Sequence, residues 1–271
     1  MIFRLLFLTL CLTACVQVPN VSERIDFASS IATQKGWKSE NIETDLFTLR
    51  AYLPQTLKKT ETLNVYIEGD GLAWVSSSTP SFDPTPINPL ALKLAMLDTG
   101  ASVYLARPCQ FTGAEQQHGC AQKYWTSHRF SPEVIGASND AVSQLKLRFS
   151  ANKVRLIGYS GGGAVAALIA ARRDDVTKLI TIAGNLDHQA WTAHHSISPL
   201  SNSLNPADYR EALAGVRQVH FVGEDDKVIP PFIANNFVAS LPKTSDASVI
   251  VVPKQSHSCC WENRWSVLLY D

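Results

Sequence analysis

Apolar positions in this chain fall into short runs rich in Val, Ile and Leu, separated by longer stretches with helical spacing or by polar turns. Residues 46–53 (LFTLRAYL), 63–68 (LNVYIE), 101–106 (ASVYLA), 154–157, 176–183, 219–222 and 249–252 read as strands. Between them lie predicted helices. One covers 89–97 and opens on proline. Another runs from 131 to about 149, with Ser131 as cap and Pro132 in the first turn. A third spans 162–173 (GGAVAALIAARR), whose small residues suit close packing on a sheet. Weaker helical patterns occupy 208–214, 232–241 and 261–270, while 76–89 and 107–130 read as irregular loops. Strands alternating with helices predict an α/β fold: a mostly parallel central sheet with helices on both faces. In such sheets functional groups gather on loops beyond the C-terminal ends of the strands.

Composition narrows the function classes. The chain has 271 residues, 45% hydrophobic and 18% charged, with Lys+Arg and Asp+Glu both at 24. That content excludes a disordered chain. Zero net charge argues against nucleic acid as a partner, because no basic excess is there to neutralise phosphates. No G-x-G-x-x-G follows an early strand, so no dinucleotide or other cofactor is expected. Four cysteines without CxxC spacing argue against a zinc site, and no metal is expected.

The N-terminus has its own pattern. Arg4 precedes an apolar run at 5–12 that is too short for a spanning helix. The run ends Leu12-Thr13-Ala14-Cys15, which resembles the bacterial lipobox. The resemblance implies a signal peptide over 1–14, a lipidated Cys15, a tether over 15–30 and a folded domain over 31–271. With Val16 after the cysteine, it also implies a protein anchored in a bacterial cell envelope, at the outer membrane facing the periplasm. An ordinary signal peptide with an incidental cysteine is the alternative. Export favours disulfides, and Cys109 with Cys120, bracketing a Gly- and Gln-rich loop, make the natural pair. Cys259 and Cys260 are adjacent and do not easily bridge each other, so their partners stay open.

The candidate chemistry begins after the strand at 154–157. There the chain reads Gly158-Tyr159-Ser160-Gly161-Gly162 and enters a helix: G-x-S-x-G in a strand–turn–helix context. So tight a turn needs small residues on both sides of its apex and lifts the Ser160 hydroxyl above the sheet, beside a helix N-terminus. A glycine-rich turn with a serine cap would share the letters. A serine hydroxyl needs a base, and the base needs a carboxylate to orient it. The strand at 219–222 leads into Gly223-Glu224-Asp225-Asp226, and the strand at 249–252 into the loop bearing His257, the only histidine after residue 220.

Together, GYSGG around Ser160, GEDDKVIP around Asp226 and the His257 loop resemble the α/β-hydrolase superfamily, over about residues 46–271. The resemblance implies a Ser160–His257–Asp226 triad. The frame Asp-x-Val-hydrophobic-Pro favours Asp226 over Asp225, with Glu224 third. It also implies an oxyanion hole from the Gly161 amide and one on the loop after the strand at 63–68. There Asp70 is the first candidate and Gly71 the next. Many relatives have His-Gly where this chain has Glu68-Gly69. A cap insertion, where the superfamily usually has one, would occupy 185–209 and be short. The expected activity is that of a serine hydrolase acting on an ester, thioester or amide, esterase- or lipase-like, with a small-molecule or lipid acyl substrate. A peptidase or acyltransferase with the same triad, and a non-catalytic binding lipoprotein, are the alternatives.

Overall fold

A computed structural model describes residues 18–270 except 115, 116 and 118. In chain order its elements are α1 (Val21–Gln34), β1 (Trp37–Glu43), β2 (Thr48–Pro54), β3 (Thr62–Ile67), α2 (Leu90–Ala95), β4 (Ser102–Leu105), α3 (Pro132–Arg148), β5 (Lys153–Tyr159), α4 (Gly161–Ala170), β6 (Val176–Ile182), α5 (His188–His194), α6 (Arg210–Leu213), β7 (Gln218–Gly223), α7 (Phe232–Ala239), β8 (Ala247–Val252) and α8 (Trp265–Leu268). Short 3-10 turns precede α3, α6 and α8.

The eight strands form one sheet in the order β1-β2-β4-β3-β5-β6-β7-β8. From β4 to β8 all neighbours are parallel, while β1 and β2 add an antiparallel hairpin at one edge. The central strands are apolar on both faces because each face is covered. Leu156 and Leu179 point into a core shared with α3, α4 and α7. Ile157 and Ile180, one residue on, point into a second core with α1, α2 and α8. Every residue of α4 is buried, which only a helix of Gly, Ala and small aliphatics can manage so close to a sheet.

Several expectations are corrected. Residues 21–30 belong to a helix rather than a tether. Asn20 and Glu23 form a reciprocal capping box at its start. Ala28 and Ala32 are buried, and the Arg24 guanidinium donates to the carbonyls of Asp83 and Thr85. The folded domain therefore includes residues 21–30, which the sequence assigned to a tether. The polar face of this helix masked its narrow stripe of alanines. Strand β1 also went unpredicted: its WKSENIE pattern buries only Trp37 and Ile42, as suits an edge strand. The pattern at 261–270 breaks into a 3-10 turn (Trp261–Asn263) and a single helical turn. Residues 1–17, and with them the expected leader and lipidated Cys15, lie outside the described residues. Cys109 and Cys120 are disulfide-bonded, as expected. Cys259 and Cys260 are joined to each other across a cis peptide bond.

Candidate active site

Strand β5 ends in a turn whose apex, Ser160, has φ +52°. A non-glycine residue adopts that conformation only when its surroundings enforce it. Here the glycines enforce it by permitting close contact. A Cβ on Gly158 would lie 2.2 Å from the Gly162 carbonyl oxygen, and one on Gly162 would lie 2.3 Å from that of Ile67. The turn thus packs backbone against backbone with no room for a side chain. Ser160 then stands at the N-terminus of α4, where unpaired amides and the helix dipole favour negative charge.

The loops after β7 and β8 meet this serine. His257 Nε2 lies 3.0 Å from Ser160 Oγ. Its Nδ1 lies 2.9 Å from Asp226 Oδ2. The other carboxylate oxygen, Asp226 Oδ1, accepts from the amides of Val228 (2.8 Å) and Ile229 (2.9 Å), so the carboxylate is held from both ends. The Asp226 side chain is fully shielded from solvent. Its neighbours Glu224 and Asp225 are exposed and make no contact with the imidazole, which separates the three acidic candidates. The ring of Tyr159 lies against His257 at 5.3 Å, and the Trp261 indole donates to the His257 carbonyl at 3.1 Å. Both neighbours limit the motion of the imidazole. Of the other histidines, His220 is buried in β7 against Thr181, and burial pushes its pKa down to about 3. His188 and His195 bond backbone carbonyls, and His118 lies outside the described residues.

On the opposite side of Ser160 lies the loop Glu68-Gly69-Asp70-Gly71. A Cβ on Gly69 would sit 3.2 Å from Ser160 Cβ, and one on Gly161 would sit 2.0 Å from Asp70 Oδ1. The loop and the first turn of α4 are therefore in contact. Among the described residues, the amides of Asp70 and Gly161 have no acceptor. Both are free to donate to a ligand.

Residues that sequence reasoning missed hold this loop. The Asp70 carboxylate pairs with Arg107 (3.2 Å) and Arg129 (2.5 Å). Burial would raise the Asp70 pKa, but the two guanidiniums outweigh it and hold the carboxyl below its ordinary value. Gln110 Nε2 donates to the Gly69 carbonyl at 3.0 Å, and Arg107 Nη2 donates to the Arg129 carbonyl. The Cys109–Cys120 disulfide closes a loop that begins two residues after Arg107 and carries Gln110. One signal for Arg107 was present: a lone charge directly after a buried strand, at the end where functional groups collect. At the base of the loop, burial pushes the Glu68 carboxyl up to about 7, partly offset by the Gly69 and Ala91 amides.

Ser160, His257, Asp70 and Arg129 open on a cavity of about 740 Å³. Its walls are largely apolar and include Leu72, Trp74, Trp191, Leu200 and Val228. The segment at 185–209, predicted as a short cap, contains α5 and supplies Trp191 and residues 197–200 to this wall. The indole of Trp191 donates to the Val228 carbonyl at 2.7 Å, tying the segment to the loop after Asp226.

Comparison with known proteins agrees with this architecture. No protein-family model and no curated protein sequence matches the chain. Solved structures do. The esterase Est1E from Butyrivibrio proteoclasticus superposes with a TM-score of 0.59 at 13% identity, over 85% of this chain and 95% of its own. An esterase from Pyrococcus furiosus gives 0.60 at 12% identity, over 88% and 91%. An alpha-beta serine hydrolase homologue from Coxiella burnetii gives 0.57 at 16% identity, over 85% and 93%. With its strand order, its helices on both faces and these structural neighbours, the chain has the α/β-hydrolase fold.

Proposed function

We propose that the protein is a serine hydrolase that cleaves an ester, thioester or amide through an acyl-enzyme on Ser160. The observation that carries this reading is the chain of short contacts from Ser160 Oγ to His257 to Asp226, on a strained turn that opens into an apolar cavity. In this reading Ser160 Oγ attacks the substrate carbonyl carbon while His257 Nε2 takes its proton. The carbonyl oxygen becomes an oxyanion between the amides of Gly161 and Asp70. The carbonyl then re-forms, His257 protonates the leaving group, and water repeats the sequence to release the acid. Asp226 keeps the imidazole in the tautomer that presents a bare Nε2 to the serine. The apolar cavity, and neighbours that include esterases, favour esters with a hydrophobic acyl or alcohol part.

A fluorophosphonate probe tests this directly. Stoichiometric labelling that disappears in Ser160→Ala is expected. Well-folded wild-type protein that resists the probe would overturn the reading in favour of a binding protein. The proposal extends to location: Cys15 carries a lipid anchor that holds the enzyme at the cell envelope. Intact-mass analysis should find a diacylated N-terminal cysteine, and an unmodified chain would count against the anchor.

A further inference from the structure

Four loops, residues 71–82, 84–89, 196–204 and 228–231, contribute to the wall of the Ser160 cavity, together with Thr126, Ser127 and Arg129. None of the 31 residues in the four loops is Asp, Glu, Lys or Arg, although at the chain-wide 18% about five would be expected. The loops are not simply buried. Trp74, Val75, Phe82, Ile87, Ile197 and Val228 are each 40–76% exposed. Four of the six line the cavity, and the other two flank it: Val75 follows Trp74 in a tight turn closed by the Trp74–Pro80 bridge, and Phe82 follows shortly after. Apolar exposure gathered around one opening is a binding surface rather than scatter. Two charged groups beside these loops are turned inward, Arg129 bound to Asp70 and Asp83 buried against the amides of Thr85 and Ala114, while Lys227 and Glu23 stand exposed at the edge.

We propose that this uncharged apolar rim is a membrane-docking surface, which seats the cavity mouth on a phospholipid bilayer so that acyl substrate enters from the membrane. Two observations favour a lipid surface. These four loops carry no formal charge, so they present no ion that must lose its water at an apolar boundary. The first described residues also lie at this rim: Pro19 and Phe27 share a hollow with Ile87, which itself lines the Ser160 cavity. Cys15 is three residues before Val18, so the proposed lipid is attached at most about 11 Å along the chain from this point, at about 3.6 Å per residue. Trp74 is suited to the interface, with an apolar ring and a polar N–H. The exposed Lys227 beside Val228 can lay its stem along the rim and keep its ammonium among the headgroups.

This inference gives the proposed hydrolase its substrate class, and so rests on that reading for the chemistry but not for the docking. The test uses the full chain mixed with phosphatidylcholine vesicles whose acyl chains are brominated to quench nearby tryptophan. A quenched component that vanishes in Trp74→Phe is expected, in Ser160→Ala protein as well, and it should persist in 1 M salt. Absence of that component, or its loss in salt, overturns the docking surface whether or not the protein is an enzyme. Replacing Val75 and Phe82 together by aspartate should lower turnover of a long-chain 4-nitrophenyl ester carried in vesicles at least tenfold. Turnover of soluble 4-nitrophenyl acetate should stay within twofold. Equal losses on both esters, or none on either, overturn it.

Discussion

The two sides of the Ser160 hydroxyl are built by opposite means. On one side the turn from β5 into α4 is made within seven residues. Its glycines, its strained apex and its helix N-terminus are adjacent in the chain, although two of the glycines make room for Ile67 of β3 and Asp70 of the loop opposite. On the other side, the loop at 68–71 takes its shape from afar. Asp70 is gripped by Arg107 and Arg129, 37 and 59 residues away in the chain, and Gly69 by Gln110, 41 residues away. A locally encoded turn is robust and recognisable. A loop braced by long-range ion pairs is tunable, and it costs more when one partner is lost.

Substitutions can sharpen or break this contrast. The largest effect is expected at the local side: Ser160→Ala should lower kcat/KM by about 10⁴–10⁶-fold, measured on any turned-over ester, with little change in stability. Asp226→Asn should follow at about 10³–10⁴-fold in kcat, because the amide favours the wrong imidazole tautomer. On the braced side, Arg107→Ala should lower kcat by about 10–100-fold with a smaller change in KM, since it loosens the Asp70 amide and not the cavity wall. It should also lower unfolding free energy by about 3 kcal/mol, because the Asp70 carboxylate keeps only one partner. An Arg107→Ala enzyme with unaltered kcat would show that the brace is structural only.

Smaller effects probe what holds the brace. Replacing both Cys109 and Cys120 by serine should cost roughly 2–3 kcal/mol in chemical denaturation, from the freed loop, and should lower kcat more than KM. Glu68, at the root of the loop, should leave a pH signature. Its carboxyl sits near 4.5 in the unfolded chain and at about 7 when folded. The folded state therefore holds more protons across that window, and stability falls as pH rises through it. Between pH 5 and 7 the loss should be about 2 kcal/mol, and Glu68→Gln should flatten the slope. A wild-type stability profile without that fall would mean that the Glu68 carboxyl is better solvated than its burial implies.

Much of the molecule could be read from the chain. The seven predicted strands are present, the helices fall between them, and the letters around Ser160 mark the turn the structure contains. These are short-range properties: a period of two or of 3.6, and a glycine where a Cβ has no room. The misses were of two kinds. Helix α1 and strand β1 bury few residues each, so their periodicity is faint. Arg107, Gln110 and Arg129 lie in an irregular loop with no period to betray which side chains turn inward.

The sequence by itself determined the alternation of strand and helix, the strained serine turn and the order of serine, acid and base, because each follows from spacing along the chain. Only the tertiary structure brought Asp226, which the motif frame favoured, into contact with His257, made two arginines share Asp70, and gathered the uncharged loops around one cavity. Those outcomes depend on distances between residues tens of positions apart. Such distances are set by how helices pack on a twisted sheet, and no local pattern carries them.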